Sequence, residues 1–323
     1  MKNVLIIGSG ITGSTIANLI KNNLKNVSLK IFEKSNRPGG RMSTTLSRKK
    51  NKNYVDLGFK YINGQDFNFI PLKYDMSYPK LLTNNLIKKS DDIVDNSDSI
   101  KYISTNGFES LVKFFVRNIE INCNHKVESI DFLDNNQIQV SGNFQTENFD
   151  FIISTIPIPQ LLQLEGNFND KIKESQNYEL IKNVKYDSKL ALGLLYDNLN
   201  NKFYANKIDN DLIEWIFTED NKIILHTNSN WSSKNYNNDK EFILNKIEKE
   251  LFNIFPYLEN YVPSEKILKK WRYSQIINNT DNKKKFLQIN NLIVSGDGIA
   301  GDGYESCVNS GYQTFKKLEN LVR

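Results

Sequence analysis

Met1-Lys2-Asn3-Val4-Leu5-Ile6-Ile7-Gly8-Ser9-Gly10-Ile11-Thr12-Gly13, followed by the apolar run Val27–Phe32 and then Glu33, is the stretch from which the fold follows. Val4 to Ile7 is apolar and short. Glycines stand at 8, 10 and 13, and an apolar helical spacing follows at Ile16, Leu19 and Ile20. Strand, tight turn, helix, strand and acidic residue is the order of a dinucleotide-binding βαβ unit. The glycine pattern alone is a weak signal. Here a strand precedes it, a helix follows it, and Glu33 closes the second strand at the expected distance. The competing reading is a leader peptide beginning at Lys2. Gly, Ser and Thr interrupt the apolar run, and it passes straight into a second strand, which argues against that reading.

The chemistry accounts for the spacing. Gly8 permits the turn out of the strand, Gly10 lets backbone approach a diphosphate, and Gly13 lets the helix pack on the sheet. Gly8, Ser9, Gly10, Ile11, Thr12 and Gly13 are therefore the expected phosphate-side contacts, since a helix start offers free N–H groups and partial positive charge. A carboxylate at Glu33 suits two ribose hydroxyls and repels a 2′-phosphate. After it comes Lys34-Ser35-Asn36-Arg37-Pro38-Gly39-Gly40-Arg41-Met42. Paired glycines let the chain pass close beside a ligand, and Arg41 can form charge-assisted bonds to a diphosphate. Alone, the same residues would read as a Pro-Gly turn with a surface arginine.

The 323 residues allow a large core and two domains. With 42 Lys and Arg against 37 Asp and Glu, the excess of +5 is small and dispersed, so no nucleic-acid partner is expected. The runs Arg48-Lys49-Lys50 and Lys283-Lys284-Lys285 read as solvated turns. No apolar run reaches the length of a membrane span. Cys123 and Cys307 lack metal-ligand spacing and suggest a reducing compartment; with the leader reading set aside, the expected location is cytoplasmic. Only His125 and His226 occur, which disfavours a histidine-built metal site.

Along the chain, Tyr54 to Gly58 reads as a short strand ending in Asp-x-Gly. Residues 66 to 97, with Pro71, Pro79 and a polar tail, read as an excursion into a second domain. Strands are expected at Ile100–Ser104, Ile119–Asn122, Lys126–Phe132 and Gln137–Ser141, and an amphipathic helix at Phe108–Arg117. Asp150 to Thr155 suits a buried parallel strand whose end, at Thr155, opens on a ligand crevice. Phe168 to Lys185 reads as one mixed polar helix. Antiparallel strands are expected at Leu190–Tyr196, Glu214–Thr218 and Ile223–Thr227, and a helix at Lys240–Phe255 ends before Pro256. Leu292 to Asp297 is the last strand; Gly296-Asp297, a glycine-rich loop and a helix from about Ser306 make a second anion site. A simple turn is the plainer reading of Gly296-Asp297.

The glycine fingerprint, Arg37-x-Gly-Gly-Arg41 and Asp56-x-Gly58-x-x-Tyr61 together resemble the FAD-binding half of the flavin amine oxidase superfamily, and within it the renalase family. The likeness continues through Ile156–Leu162, Tyr186–Gly193, Ile224–Thr227, Lys270–Gln275 and Ser295–Gly298. It implies an α/β fold of p-hydroxybenzoate-hydroxylase-like topology. A Rossmann-type FAD-binding domain (1–65, 98–165 and 286–323) would carry a smaller substrate domain of antiparallel sheet and helices (66–97 and 166–285). It implies noncovalent FAD, with Asp297 at the ribityl and phosphate region, Val127 at the adenine, and Cys307 and Val308 facing the pyrimidine. It further implies oxidation of a dihydronicotinamide nucleotide reduced at the wrong ring carbon, with O2 as acceptor and hydrogen peroxide as product.

Tyr61, His226 and Trp271 are the expected substrate-side residues, with Tyr61 and Trp271 placed to sandwich a planar ring. Core packing is the plainer reading of Trp271, a cofactor contact that of Tyr61, and a satisfied strand histidine that of His226. Lys60 reads as a cofactor contact or as the water-activating lysine of amine oxidases. An amine oxidase and an FAD-holding protein without turnover stand as rival functions. No Ser-His-Asp set is found, consistent with a cofactor that performs the redox chemistry.

Overall fold

Val4, Leu5 and Ile6 have no exposed surface, which a strand allows only in a sheet covered on both faces. The computed structural model describes residues 1–49, 54–67, 74–90, 100–277 and 284–323, and in it Lys2–Ile7 lies inside a six-stranded sheet. The order is Phe286–Ile289, Leu292–Ser295, Phe151–Ser154, Lys2–Ile7, Val27–Glu33 and Ile121–Cys123. Neighbours are parallel except at the antiparallel edge strand Phe286–Ile289. Helix Ile11–Asn23 follows the first strand, and helix Tyr304–Val322 packs against it. A Cβ on Gly311 would stand 2.9 Å from Thr15 Cγ2, so these two helices touch closely. This is the expected Rossmann-type arrangement.

The second large sheet is antiparallel, in the order Asn201–Lys207, Ile213–Asp220, Lys222–Thr227, Lys189–Leu195 and Glu265–Trp271. Alternation along Lys189–Leu195 divides its two faces. Leu190, Leu192 and Leu194 point into a core shared with Ile243, Ile247 and Leu251 of helix Lys240–Ile254. Ala191 lies on the opposite face, in a cluster with Val55, Leu57, Phe217 and Ile224. Gly193 lies on this face as well, where a Cβ would come within 2.9 Å of Leu57 Cδ2. The chain at 55–57 therefore sits directly on the sheet and joins it to the nucleotide-binding unit.

Three expectations are corrected. Phe168–Lys185 is not one helix but two, Phe168–Glu174 and Tyr178–Lys182. Ser175 is extended between them, and its hydroxyl accepts from Asn177 N at 3.3 Å, which offers the backbone an alternative to the helix ladder. The last helix starts at Tyr304, because Gly303, at φ +97°, makes the turn into it. The described part of 66–97 does not join the antiparallel sheet. Tyr74, Met76, Leu81 and Ile87 pack in one core with Ile16, Leu19, Phe115 and Phe315. Strand Ile87–Ser90 pairs instead with Lys101–Ser104. Pro71, most of the polar tail (91–99), Lys50 and Lys283 lie outside the described residues. No helix among the described residues is long and apolar enough to cross a membrane.

Candidate active site

The glycine turn is built as its chemistry requires. Gly8 has φ +100°, and a Cβ on Gly13 would lie 2.1 Å from the Gly8 carbonyl oxygen, so the helix start is pressed onto the strand end. Thr155 Oγ1 donates to the Ile7 and Gly8 carbonyls at 3.0 and 3.1 Å and fixes the crevice edge. A Cβ on Gly10 would meet no atom within 4 Å. Helix Ile11–Asn23 has no side-chain cap, so its first N–H groups face open space.

A second helix start converges on the same place. Helix Tyr304–Val322 also lacks a side-chain cap, and a Cβ on Gly303 would likewise meet nothing within 4 Å. Thr12 Oγ1 donates to the Cys307 carbonyl at 3.2 Å, tying the first turns of the two helices together. Two uncapped N-termini beside one glycine-lined cradle fit a diphosphate-bridged cofactor.

Arg41 and Asp297 join the two halves. The guanidinium donates to Asp297 Oδ2 at 2.6 Å and to the Ser274 carbonyl at 2.5 Å. Tyr186 Oη donates to Asp297 Oδ1 at 3.0 Å. Burial works against the charge on Arg41, but Asp297, with Cys307 and Tyr186 adding to it, more than reverses this and holds its pKa above the ordinary value. Burial, and Asp297 next, push the Cys307 thiol up to about 12. It is a protonated thiol at neutral pH, which suits a cofactor held without a covalent bond.

Glu33 is already engaged. Its Oε2 accepts from Ser9 N and Ser9 Oγ at 3.0 and 2.8 Å, and its Oε1 from Ser35 N at 2.8 Å. The carboxylate is thereby fixed at the end of the second strand, where a ribose would lie. Lys34 Nζ reaches Gln160 at 3.1 Å across the crevice, and Gly40 stands 3.4 Å, measured from its Cβ position, from Gly10 Cα. The side chains of Met42, Val308 and Val127 enter the hydrophobic cores, which leaves their backbone as the part that could line a cofactor.

The substrate-side residues gather over the antiparallel sheet. Tyr61 and Trp271 lean on the apolar cluster that contains Leu57 and Phe217. Trp271 packs on backbone, its Cζ2 lying 3.3 Å from the Cβ position of Gly58. Lys101 Nζ lies 5.4 Å from the centroid of the Tyr61 ring. The His226 ring is bonded to the Leu57 carbonyl at 2.6 Å, so Nε2 carries the proton. Burial, with Lys60 adding to it, lowers the His226 pKa to about 3. His226 is a neutral strand histidine tethering the chain that crosses the sheet, and its ring donor is not free for a ligand.

Lys60 turns away from the cradle. Its ammonium lies in a cavity of about 20 Å³ with Asp56, Ser104, Glu219 and Lys222 among the lining residues, room for about one water. It has no hydrogen-bond partner among the described residues and is 8% exposed. Burial lowers its pKa to about 7, with Asp56 opposing the shift. Its ammonium faces the Phe217 ring at 5.5 Å.

Sequence reading missed Trp215 and Phe217. Their rings stack at 5.7 Å and 12°, and Trp215 is the register partner of His226. The available signal was alternation: both occupy the same face of Ile213–Asp220.

The chain resembles known proteins along its whole length. It is 24% identical to renalase from Mus musculus over 347 residues, covering 100% of both chains. Residues 6–70 match the family described as NAD(P)-binding Rossmann-like domain. The fold superposes on the crystal structure of a putative protoporphyrinogen oxidase from Exiguobacterium sp. 255-15 with a TM-score of 0.72 and 12% identity, covering 98% of each chain.

Proposed function

We propose that this renalase-like protein is an FAD-dependent oxidoreductase. On this reading it takes hydride from a dihydronicotinamide nucleotide reduced at ring position 2 or 6 and passes two electrons to O2. NAD(P)+ and hydrogen peroxide are the products, with one proton taken from solvent. The observation that carries the reading is the convergence of two uncapped helix starts on one open cradle, bridged by Arg41 and Asp297. The full-length likeness to renalase supports the choice of substrate.

FAD, when bound, supplies the hydride acceptor and the path to oxygen. The chain's own residues do the rest. Gly10 to Gly13 and the start of Tyr304–Val322 offer N–H groups to the diphosphate. Glu33, held by Ser9 and Ser35, presents a carboxylate edge to ribose hydroxyls. Arg41 holds the Asp297 carboxylate in place through their ion pair. Trp271 and Tyr61 give a largely apolar wall, which excludes water from the side where a flat ring would lie. Neutral His226 neither donates a proton to the substrate nor accepts one. Hydride loss from a dihydropyridine needs no general base, so this wall suffices.

The test is an anaerobic mix of the flavin-loaded protein with the 2- and 6-dihydro isomers of NAD. Rapid bleaching, reversed by air with peroxide formed, is the expected result. Bleaching by amines alone would assign an amine oxidase, and no bleaching by either would overturn the reading.

A further inference from the structure

We propose that Trp215, backed by Phe217, is a positioning residue that stacks on the planar ring of the substrate; this rests on the function proposed above. Trp215 sits in the cluster that also holds Tyr61, Trp271 and Leu57, where the antiparallel sheet meets the nucleotide-binding unit. It is only half-buried there, whereas Ala191 and Leu57 beneath it are sealed. One face of the indole is covered by Phe217 at 12°. That stacking fixes the plane of the ring, and its partial exposure leaves indole surface on which a flat ring could stack.

Trp215 and Trp271 stand on the first and last of four adjacent strands, about 14 Å apart at the usual strand spacing. The chain at Leu57–Gly58 runs between them. Its place is fixed by the His226 hydrogen bond and by the contact of Trp271 with Gly58. Trp271 is thus occupied against backbone, and the stacking role first expected of it passes to Trp215.

The neighbouring charges match an anionic nucleotide. Lys207 pairs with Trp215 in register on the edge strand, and its side chain is 65% exposed. Its ammonium lies 3.7 Å from Glu214, which is also the partner of Lys189. An aromatic platform beside an exposed lysine suits a flat heteroaromatic ring carrying phosphate. A small neutral amine would use only the ring.

The flavin-loaded wild type, Trp215→Phe and Trp215→Ala test this. NAD+ is the binding probe, read by quenching of tryptophan emission. The dihydro-NAD isomers report turnover. The expected result is quenching in the wild type and loss of most of it in Trp215→Phe, with the apparent Kd raised less than threefold. Trp215→Ala should weaken binding about tenfold, with flavin reduction at saturating substrate slowed much less. Flavin retention and melting temperature in the phenylalanine variant exclude a folding defect. No quenching in the wild type, or equal Kd in Trp215→Ala, overturns the inference. Quenching that depends on Trp215 without flavin reduction overturns the proposed function and leaves the platform standing.

Discussion

Arg41 and Lys60 are both cations beside packed side chains, Arg41 with 36% of its side chain exposed and Lys60 at 8%, and they are treated in opposite ways. Arg41 has a carboxylate at 2.6 Å and a carbonyl at 2.5 Å, and burial does not cost it its charge. Lys60 has an apolar ring at 5.5 Å, no hydrogen-bond partner among the described residues, and a pKa lowered to about 7. The planar fork of arginine satisfies two acceptors at once, which a single ammonium does less well. The first cation ties two distant glycine-rich segments together; the second opposes the packing around it. Arg41 keeps both partners and some contact with water; Lys60 has neither a hydrogen-bond partner among the described residues nor much exposure.

The largest effect is expected from Arg41→Ala. It leaves Asp297 buried with only Tyr186 and backbone as partners, at a cost of about 3–5 kcal/mol. Chemical denaturation should show this loss, and the purified protein should be colourless. Arg41→Lys should recover less than half of the loss, because one ammonium cannot reproduce both contacts. Full recovery would break the contrast between the two cations.

Lys60→Met should act in the other direction. Removing an ammonium that has no hydrogen-bond partner among the described residues, and only the charges of Asp56 and Glu219 to oppose its burial, should stabilise the fold by about 1–3 kcal/mol at pH 7, seen as a raised melting temperature. The sign of the pH dependence sharpens this. The folded pKa of about 7 lies below the ordinary 10.5, so between these values the unfolded chain binds more protons and wild-type stability rises with pH. The advantage of Lys60→Met should be full below pH 7 and shrink steadily towards pH 10. A constant difference across that window would show that Lys60 keeps its proton throughout.

A smaller effect, confined to acid, is expected at His226. Its folded pKa of about 3 lies below the ordinary 6.5, so its contribution is complete above pH 6.5 and is lost as pH falls towards 3. His226→Gln keeps an N–H donor for Leu57, should cost about 1 kcal/mol at pH 7, and should flatten the acid limb of the stability profile. An unchanged acid limb would assign that limb to other groups.

The nucleotide-binding half was legible because its chemistry is local. Gly8, Gly10 and Gly13 are required within six residues, and the strand, helix and Glu33 follow at fixed distances. The renalase-family resemblance, carried by such blocks, is borne out over the full length. The mixed α/β fold with its parallel sheet is borne out by the strand order. The substrate side was harder to read because its residues meet only through register. Trp215 finds His226 across a strand pair, and Trp271 finds Gly58 across the joint between two sheets. Lys60 and Tyr61 were hard to place for the same reason: adjacency in sequence says nothing about which way each side chain turns in an irregular segment. The break at Ser175 hung on a hydroxyl competing with a helix ladder, which periodicity does not register.

The hydrogen bond from Thr12 to the Cys307 carbonyl spans 295 residues of chain. During synthesis the glycine turn cannot acquire its second wall until those 295 residues have followed it out of the ribosome. At about 5–20 residues per second, that wait lasts roughly 15–60 s. Throughout it, the first βαβ unit must persist without the helix that later packs on it. Completion of the cradle thus waits on the segment around Cys307, however early the glycine turn is made.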